Sequence, residues 1–198
     1  MLFSEACCVA DMTGLFSSNL RYILWQQGKP QESWGAEVAA WATCSEDRAW
    51  QLLKAEQPRQ SEIESISQAT GYGQDELVFS NLLQESGLDI WQENVVYLVN
   101  SLGHGENSKL AQALGIQGST ISKWKRRGPT PEKTQKSGIQ SFFGVPTAID
   151  MEHHPLFLDL SPISAMEQRV WLKKQIEHLD SQTLQQRFPA LERLFRDS

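Results

Sequence analysis

Asn107 to Arg126 read NSKLAQALGIQGSTISKWKR. Leu110 and Leu114 stand one helical turn apart, and Ala111 between them is small enough to let a second helix approach closely. Gly115 follows, where the chain must turn sharply and a left-handed backbone costs least for glycine. Ile116 plugs the turn. Ile121 and Trp124 recur at i, i+3, so they share one face of the next helix. Gln117, Ser119, Ser122 and Lys123 are then left pointing outward, followed by Lys125, Arg126 and Arg127. A buried stripe with a polar, basic outer face fits a helix-turn-helix whose second helix lies in the DNA major groove.

Charge along the chain agrees with that placement. The 198 residues carry a formal charge of −6. Residues 1–90 hold 5 Lys/Arg against 13 Asp/Glu, a net −8. Residues 91–145 hold 7 against 3, a net +4. Residues 146–198 hold 6 against 8, a net −2. The basic segment is the one with the helix-turn-helix pattern. Phosphate contacts supply most non-specific DNA affinity, so a local basic patch outweighs net charge. The acidic remainder would repel DNA and confine contact to one face.

Nearly every periodic segment has helical spacing, so the expected class is all-α: two tandem helix-turn-helix bundles plus C-terminal helices. The expected divisions are an acidic N-terminal domain over 1–86, a DNA-binding domain over 87–146 and a C-terminal dimerisation or packing segment over 147–198. In the first, helices are expected over 16–27 (capped by Ser17 or Ser18), 34–42, 46–56 and 61–70. A further helix capped by Asp75 runs to about Leu83. In the second, residues 91–102 bury Val95, Leu98, Val99 and Leu102. Gly103-His104-Gly105 breaks that helix. Residues 132–143 form a supporting helix in which Gly138 predicts irregularity.

The segment 34–52 repeats the pattern with a different surface. Val38, Ala39, Ala42, Thr43, Cys44, Ala49 and Leu52 match Leu110, Ala111, Leu114, Gly115, Ile116, Ile121 and Trp124. The outward positions change: Ser45, Asp47 and Gln51 replace Gln117, Ser119 and Lys123. Carboxylates there meet phosphate unfavourably, so the first unit is expected to serve packing or protein contact. A DNA-reading version would have to use Arg48, Lys54 and Arg59.

Residues 91–145, and more loosely 16–83, resemble the lambda-repressor-like (Cro/xenobiotic-response-element) helix-turn-helix family. SKLAQALGIQGSTISKWKRRG carries the resemblance. It implies helical bundles that bind palindromic operators as dimers, hence a transcription regulator, most simply a repressor. It also implies contacts at or near the bases from Gln117, Ser119, Thr120, Ser122 and Lys123. Gln117 suits adenine and Lys123 suits guanine O6/N7. Asn107, Ser108 and Lys109 at a helix N-terminus favour a phosphate. Gln112, Lys125, Arg126 and Arg127 complete the DNA-contacting set. Double-stranded DNA and a second copy of the chain are the expected partners. The acidic domain offers a protein-binding surface, and a non-catalytic interaction protein (an antitoxin or adaptor) is the alternative reading.

Two C-terminal amphipathic pieces follow. Ile163, Met166, Val170, Lys173/Lys174, Ile176 and Leu179 keep 3–4 spacing, as do Leu184, Phe188, Leu191, Leu194 and Phe195. The first starts near Pro162, and Asp180 or Ser181 caps the second. Phe188-Pro189 should open a new turn. The pair either completes the core or forms a dimer interface.

Other chemistries find little support. Glu152, His153, His154 and Asp159 lack the i, i+4 spacing of a helical zinc site. There is no nucleophile elbow, phosphate loop or dinucleotide fingerprint, so no catalysis, cofactor or metal is expected. Cys7, Cys8 and Cys44 make no disulfide framework. No apolar run reaches the roughly 18–20 residues that span a bilayer, and the acidic start does not read as a secretory signal. A reduced, cytoplasmic protein is expected. The tryptophans, Trp25, Trp34, Trp41, Trp50, Trp91, Trp124 and Trp171, are expected mostly in the core.

Overall fold

Helix-forming periodicity gives an all-α chain. The computed structural model describes residues 5–103, 105–161 and 164–196, and among them are twelve α-helices and no strand. None of these helices is long and apolar enough to cross a membrane. The residues group into two units, 1–94 with 151–160, and 95–150 with 161–198. Residues 151–160 thus group with the first unit rather than with the C-terminal segment.

The first unit contains α1 (Glu5–Gln26), α2 (Trp34–Ala42), α3 (Glu46–Leu53), α4 (Gln60–Thr70), α5 (Gln74–Phe79) and α6 (Leu82–Glu85). Phe16, Leu20, Ile23 and Leu24 of α1 meet a core that includes Trp34, Val38, Ala49, Leu52, Ile66 and Leu77. The first helix starts well before residue 16. Ser17 is therefore no cap; it is buried inside the helix and donates to the Leu53 carbonyl at 2.6 Å.

The expected single helix from Asp75 to Leu83 is two helices. Gly73, not Asp75, is the N-cap, and the Glu76 carboxylate turns back to accept its N–H at 2.6 Å. Asn19 breaks the run further on. Its buried amide donates to the carbonyls of Leu77 (3.0 Å) and Ser80 (2.7 Å) and accepts from Leu82 N–H (3.1 Å). Backbone groups thus satisfied need no continuing helix.

Residues 151–160 are tied down in the same way. Buried Asn94 donates to the Met151 and His154 carbonyls at 2.8 and 2.7 Å and accepts from Leu156 N–H at 2.7 Å. Leu156, Phe157 and Leu158 are buried, and the rings of Trp25 and Phe157 lie 4.6 Å apart. Arg21 donates to the Leu158 carbonyl at 3.2 Å.

The helix α7 (Ile90–Asn100) gives Ile90–Asn94 to the first unit and its remainder to the second. Val95, Leu98, Val99 and Leu102 are buried, as their spacing predicts. The second unit continues with α8 (Glu106–Leu114), α9 (Gly118–Lys125), α10 (Lys136–Phe143), α11 (Ala165–Glu177) and α12 (Ser181–Arg196). Gly138 does not disrupt α10. A Cβ there would lie 2.6 Å from Leu114 Cδ2, so the missing side chain lets α10 pack closely on α8.

Near the C-terminus, Asp180 caps α12 by accepting from Thr183 N–H at 2.9 Å. The expected new turn at Phe188-Pro189 is absent, because α12 runs through Pro189. Gln185, whose carbonyl the proline leaves unpaired, is exposed, so water can replace the lost bond. Trp34, Trp91 and Trp124 are buried, but Trp171 is 49% exposed, against expectation. Pro162, Ile163 and His104 lie outside the described residues, as do the side chains of Cys7, Cys8, Lys174, Leu194 and Phe195.

Candidate nucleic-acid interface

The turn between α8 and α9 follows from its residues. Gly115 adopts φ 65°, ψ 28°, and Ile116 N–H reaches back to the Ala111 carbonyl at 2.9 Å. That bond closes the C-terminus of α8 and redirects the chain. Gln117, in extended conformation, is the N-cap of α9. Its carbonyl accepts from Thr120 N–H at 2.9 Å. Ile121 and Trp124 bury one face of the helix against the core.

The opposite face is open. Gln117, Ser119, Ser122, Lys123, Arg126 and Arg127 are exposed, and Thr120 and Lys125 are half-buried. Ser108, Lys109 and Gln112 on α8 are exposed too. Among the described residues no ion pair holds Lys109, Lys123 or Lys125. Arg126 Nε donates to the Ser122 carbonyl at 3.2 Å, along the helix surface. At the end of α9 Arg127 turns left-handed (φ 52°), and Gly128 N–H bonds the Lys123 carbonyl at 2.9 Å. A Cβ on Gly128 would sit 2.9 Å from that same oxygen, so the closure requires glycine.

The N-terminus of α8 carries a feature that the sequence pattern did not flag. Glu106 accepts from Gly103 N–H at 2.7 Å, which places a carboxylate at the end where a phosphate is expected. Asn107 is half-buried, and its Oδ1 has no hydrogen-bond partner among the described residues. The signal for Glu106 was present as a residue three positions after a glycine, the spacing of a carboxylate that reaches back to a cap.

The pair α2–α3 matches α8–α9 at a constant spacing of 72 residues. Trp34–Ala42 corresponds to Glu106–Leu114, and Glu46–Leu53 to Gly118–Lys125. Thr43 is left-handed like Gly115, and Ala55 (φ 68°) is left-handed like Arg127. The closing bond recurs as Cys44 N–H to the Ala39 carbonyl at 3.1 Å.

The outer surfaces differ. Arg48 stands where the second pair has Thr120. Its Nε and Nη2 grip Glu62 at 2.9 Å each, and Nη2 also donates to the Gln57 carbonyl at 2.7 Å. Glu62 is only 4% exposed and also accepts from Arg59 N–H at 2.7 Å. The Arg48 hydrogen bonds hold the Glu62 carboxyl below the ordinary glutamate range, and Glu62 in turn raises the guanidinium pKa. Trp50, the counterpart of Ser122, lies against Gly35, where a Cβ would be only 2.3 Å from its indole nitrogen. Leu53, the counterpart of Lys125, is fully buried.

Elsewhere, His154 Nε2 and Asp159 Oδ2 pair at 2.8 Å. Among the described residues no three His, Cys, Asp or Glu side chains gather to hold a metal ion. Burial pushes the Cys44 thiol pKa up, away from the thiolate form that reacts. Comparison with protein-family models, with curated proteins and with solved structures yields no match.

Proposed function

We propose that this chain is a sequence-specific, double-stranded DNA-binding transcription regulator, acting as a dimeric repressor that reads a palindromic operator with residues 117–127. One observation carries the reading. In the segment of net positive charge, one face of α9 is anchored by Ile121 and Trp124 while Gln117, Ser119, Ser122 and Lys123 stand exposed on the other. Amide and ammonium groups on a rigid helix are what major-groove base edges need. Lys125, Arg126, Arg127 and Lys109 supply charge for the flanking phosphates. Occupying an operator suffices for repression, with no further chemistry.

The first unit has a different role in this reading. Arg48 is engaged by Glu62 and Gln57, and Trp50 is engaged by Gly35, so neither is available to a groove. Its exposed Glu46 and Asp47 repel phosphate. That favours packing or protein contact for α2–α3, and it is the observation behind the second reading, an adaptor or antitoxin that binds protein.

The test is recovery of genomic DNA fragments by wild type and by Lys123→Ala/Arg126→Ala, followed by sequencing. A palindromic site enriched by wild type and lost by the variant supports the regulator. No enrichment by wild type at low salt rules it out and leaves the protein-binding reading.

A further inference from the structure

Helices α11 and α12 keep their apolar residues in water. Val170 is 42% exposed, Trp171 49%, Leu172 45%, Ile176 38% and Phe188 56%. On α12, Phe188 sits between half-buried Leu184 and Leu191 at i, i+4, i+7, which makes one stripe. On α11 the apolar residues are not confined to one stripe. Leu172 and Ile176 share a face, Val170 lies nearly opposite, and Trp171 lies between. A helix apolar on several sides belongs inside a bundle. Isolated helices of this length, 13 and 16 residues, are marginal in water without such packing.

We infer that α11 and α12 form the interface with a second copy of this chain. Taking aromatic side chains at 150–250 Å² each, the five exposed side chains present roughly 400 Å² of apolar surface per chain. Homodimer interfaces are about 65% apolar, which scales this to about 600 Å² per copy and 1,200 Å² in total. That reaches the size at which specific, stable interfaces begin. Polar neighbours carry both signs: Arg169, Lys173, Glu177, Arg187, Glu192 and Arg193. A partner of one strong charge is not called for, whereas a two-fold copy supplies both signs to both. The second copy also brings the same two helices, enough to cover the extra faces of α11 in a four-helix arrangement.

This inference deepens the dimeric part of the proposed function but does not rest on DNA contact. The experiment is sedimentation of the full chain without DNA, for wild type, Leu172→Glu and Phe188→Glu, with helicity followed by circular dichroism. The expected result is twice the monomer mass for wild type at ~10 μM, and a dissociation constant raised at least tenfold in both variants with helicity retained. If a variant loses helicity, Val170→Gln/Ile176→Gln repeats the test with less charge. A monomeric wild type at ~100 μM overturns the inference, as does a dimer that no variant weakens. Flotation of monomeric wild type with anionic lipid vesicles, abolished by Leu172→Glu, would assign the face to a membrane surface and overturn it too. A dimer that binds no DNA would keep the inference and remove the proposed function; a monomer that binds a single half-site would do the reverse.

Discussion

Thr43 and Gly115 occupy the same left-handed position, φ 53° and 65°, each ending the first helix of its pair. Only one of them suits it. A β-branched residue with positive φ is an outlier, and the left-handed region costs a non-glycine residue roughly 1–2 kcal/mol. Thr43→Gly relieves that cost but gives back about 0.5–1 kcal/mol of unfolded-chain entropy. Urea unfolding should therefore show Thr43→Gly more stable by about 0.5–1 kcal/mol, and Gly115→Thr less stable by about 1–2 kcal/mol. Destabilisation by Thr43→Gly would mean that the threonine side chain holds the turn.

The Arg48–Glu62 pair should anchor the first unit. Removing one partner of a buried pair costs about 3–5 kcal/mol, and partial exposure of Arg48 puts this one at the lower end. Arg48→Ala should lower the unfolding free energy accordingly. The folded state lowers the Glu62 pKa. The stabilisation is therefore full above the ordinary glutamate value of 4.5 and is lost as pH falls through the folded value. Between pH 6 and pH 3 wild type should lose more stability than Glu62→Gln. Equal losses would show that the pair contributes nothing.

Asn94 should be irreplaceable by its nearest isostere. Its amide donates to two carbonyls, and a carboxylate cannot. Asn94→Asp should cost about 2–4 kcal/mol at neutral pH, since it buries a charge against two acceptors. Hydrogen exchange should then rise at Leu156 N–H, which Asn94 Oδ1 now accepts. Unchanged exchange there would refute the clamp.

On the proposed interface, Lys123 and Arg127 should separate specificity from affinity. Lys123→Ala should weaken the preferred site by about 1–3 kcal/mol and leave random DNA little changed. Arg127→Ala should weaken all sequences alike and reduce the salt slope by about 1. Wild-type binding by both variants would exclude α9 from the groove. Gln51→Lys in the first unit should gain no DNA affinity, because Arg48 and Trp50 beside it remain engaged.

Much of the fold was legible because its signals are local. Leu110, Ile121 and Trp124 advertise their buried faces by spacing, and Gly115 marks its turn by being glycine. The repeat at 34–52 was readable although Thr43 hides the turn, since Val38, Ala49 and Leu52 keep the apolar period. The break after Phe79 was not readable, because its cause is Asn19, about sixty residues away in sequence. Pro189 misled for the opposite reason: an exposed helix tolerates the loss that a buried one would not.

The sequence by itself determined helix positions, the basic segment and the repeated buried pattern, because hydrophobic period and charge are properties of neighbouring residues. Only the tertiary structure decided which polar groups are engaged. Arg48 looked available until Glu62 and Gln57 were placed beside it, and Gly138 looked like a flaw until Leu114 filled its space. Residues 151–160 had no periodicity to read, and Asn94 places them through hydrogen bonds to their backbone. Such bonds join groups that any residue carries, so side-chain patterns along the chain do not record them.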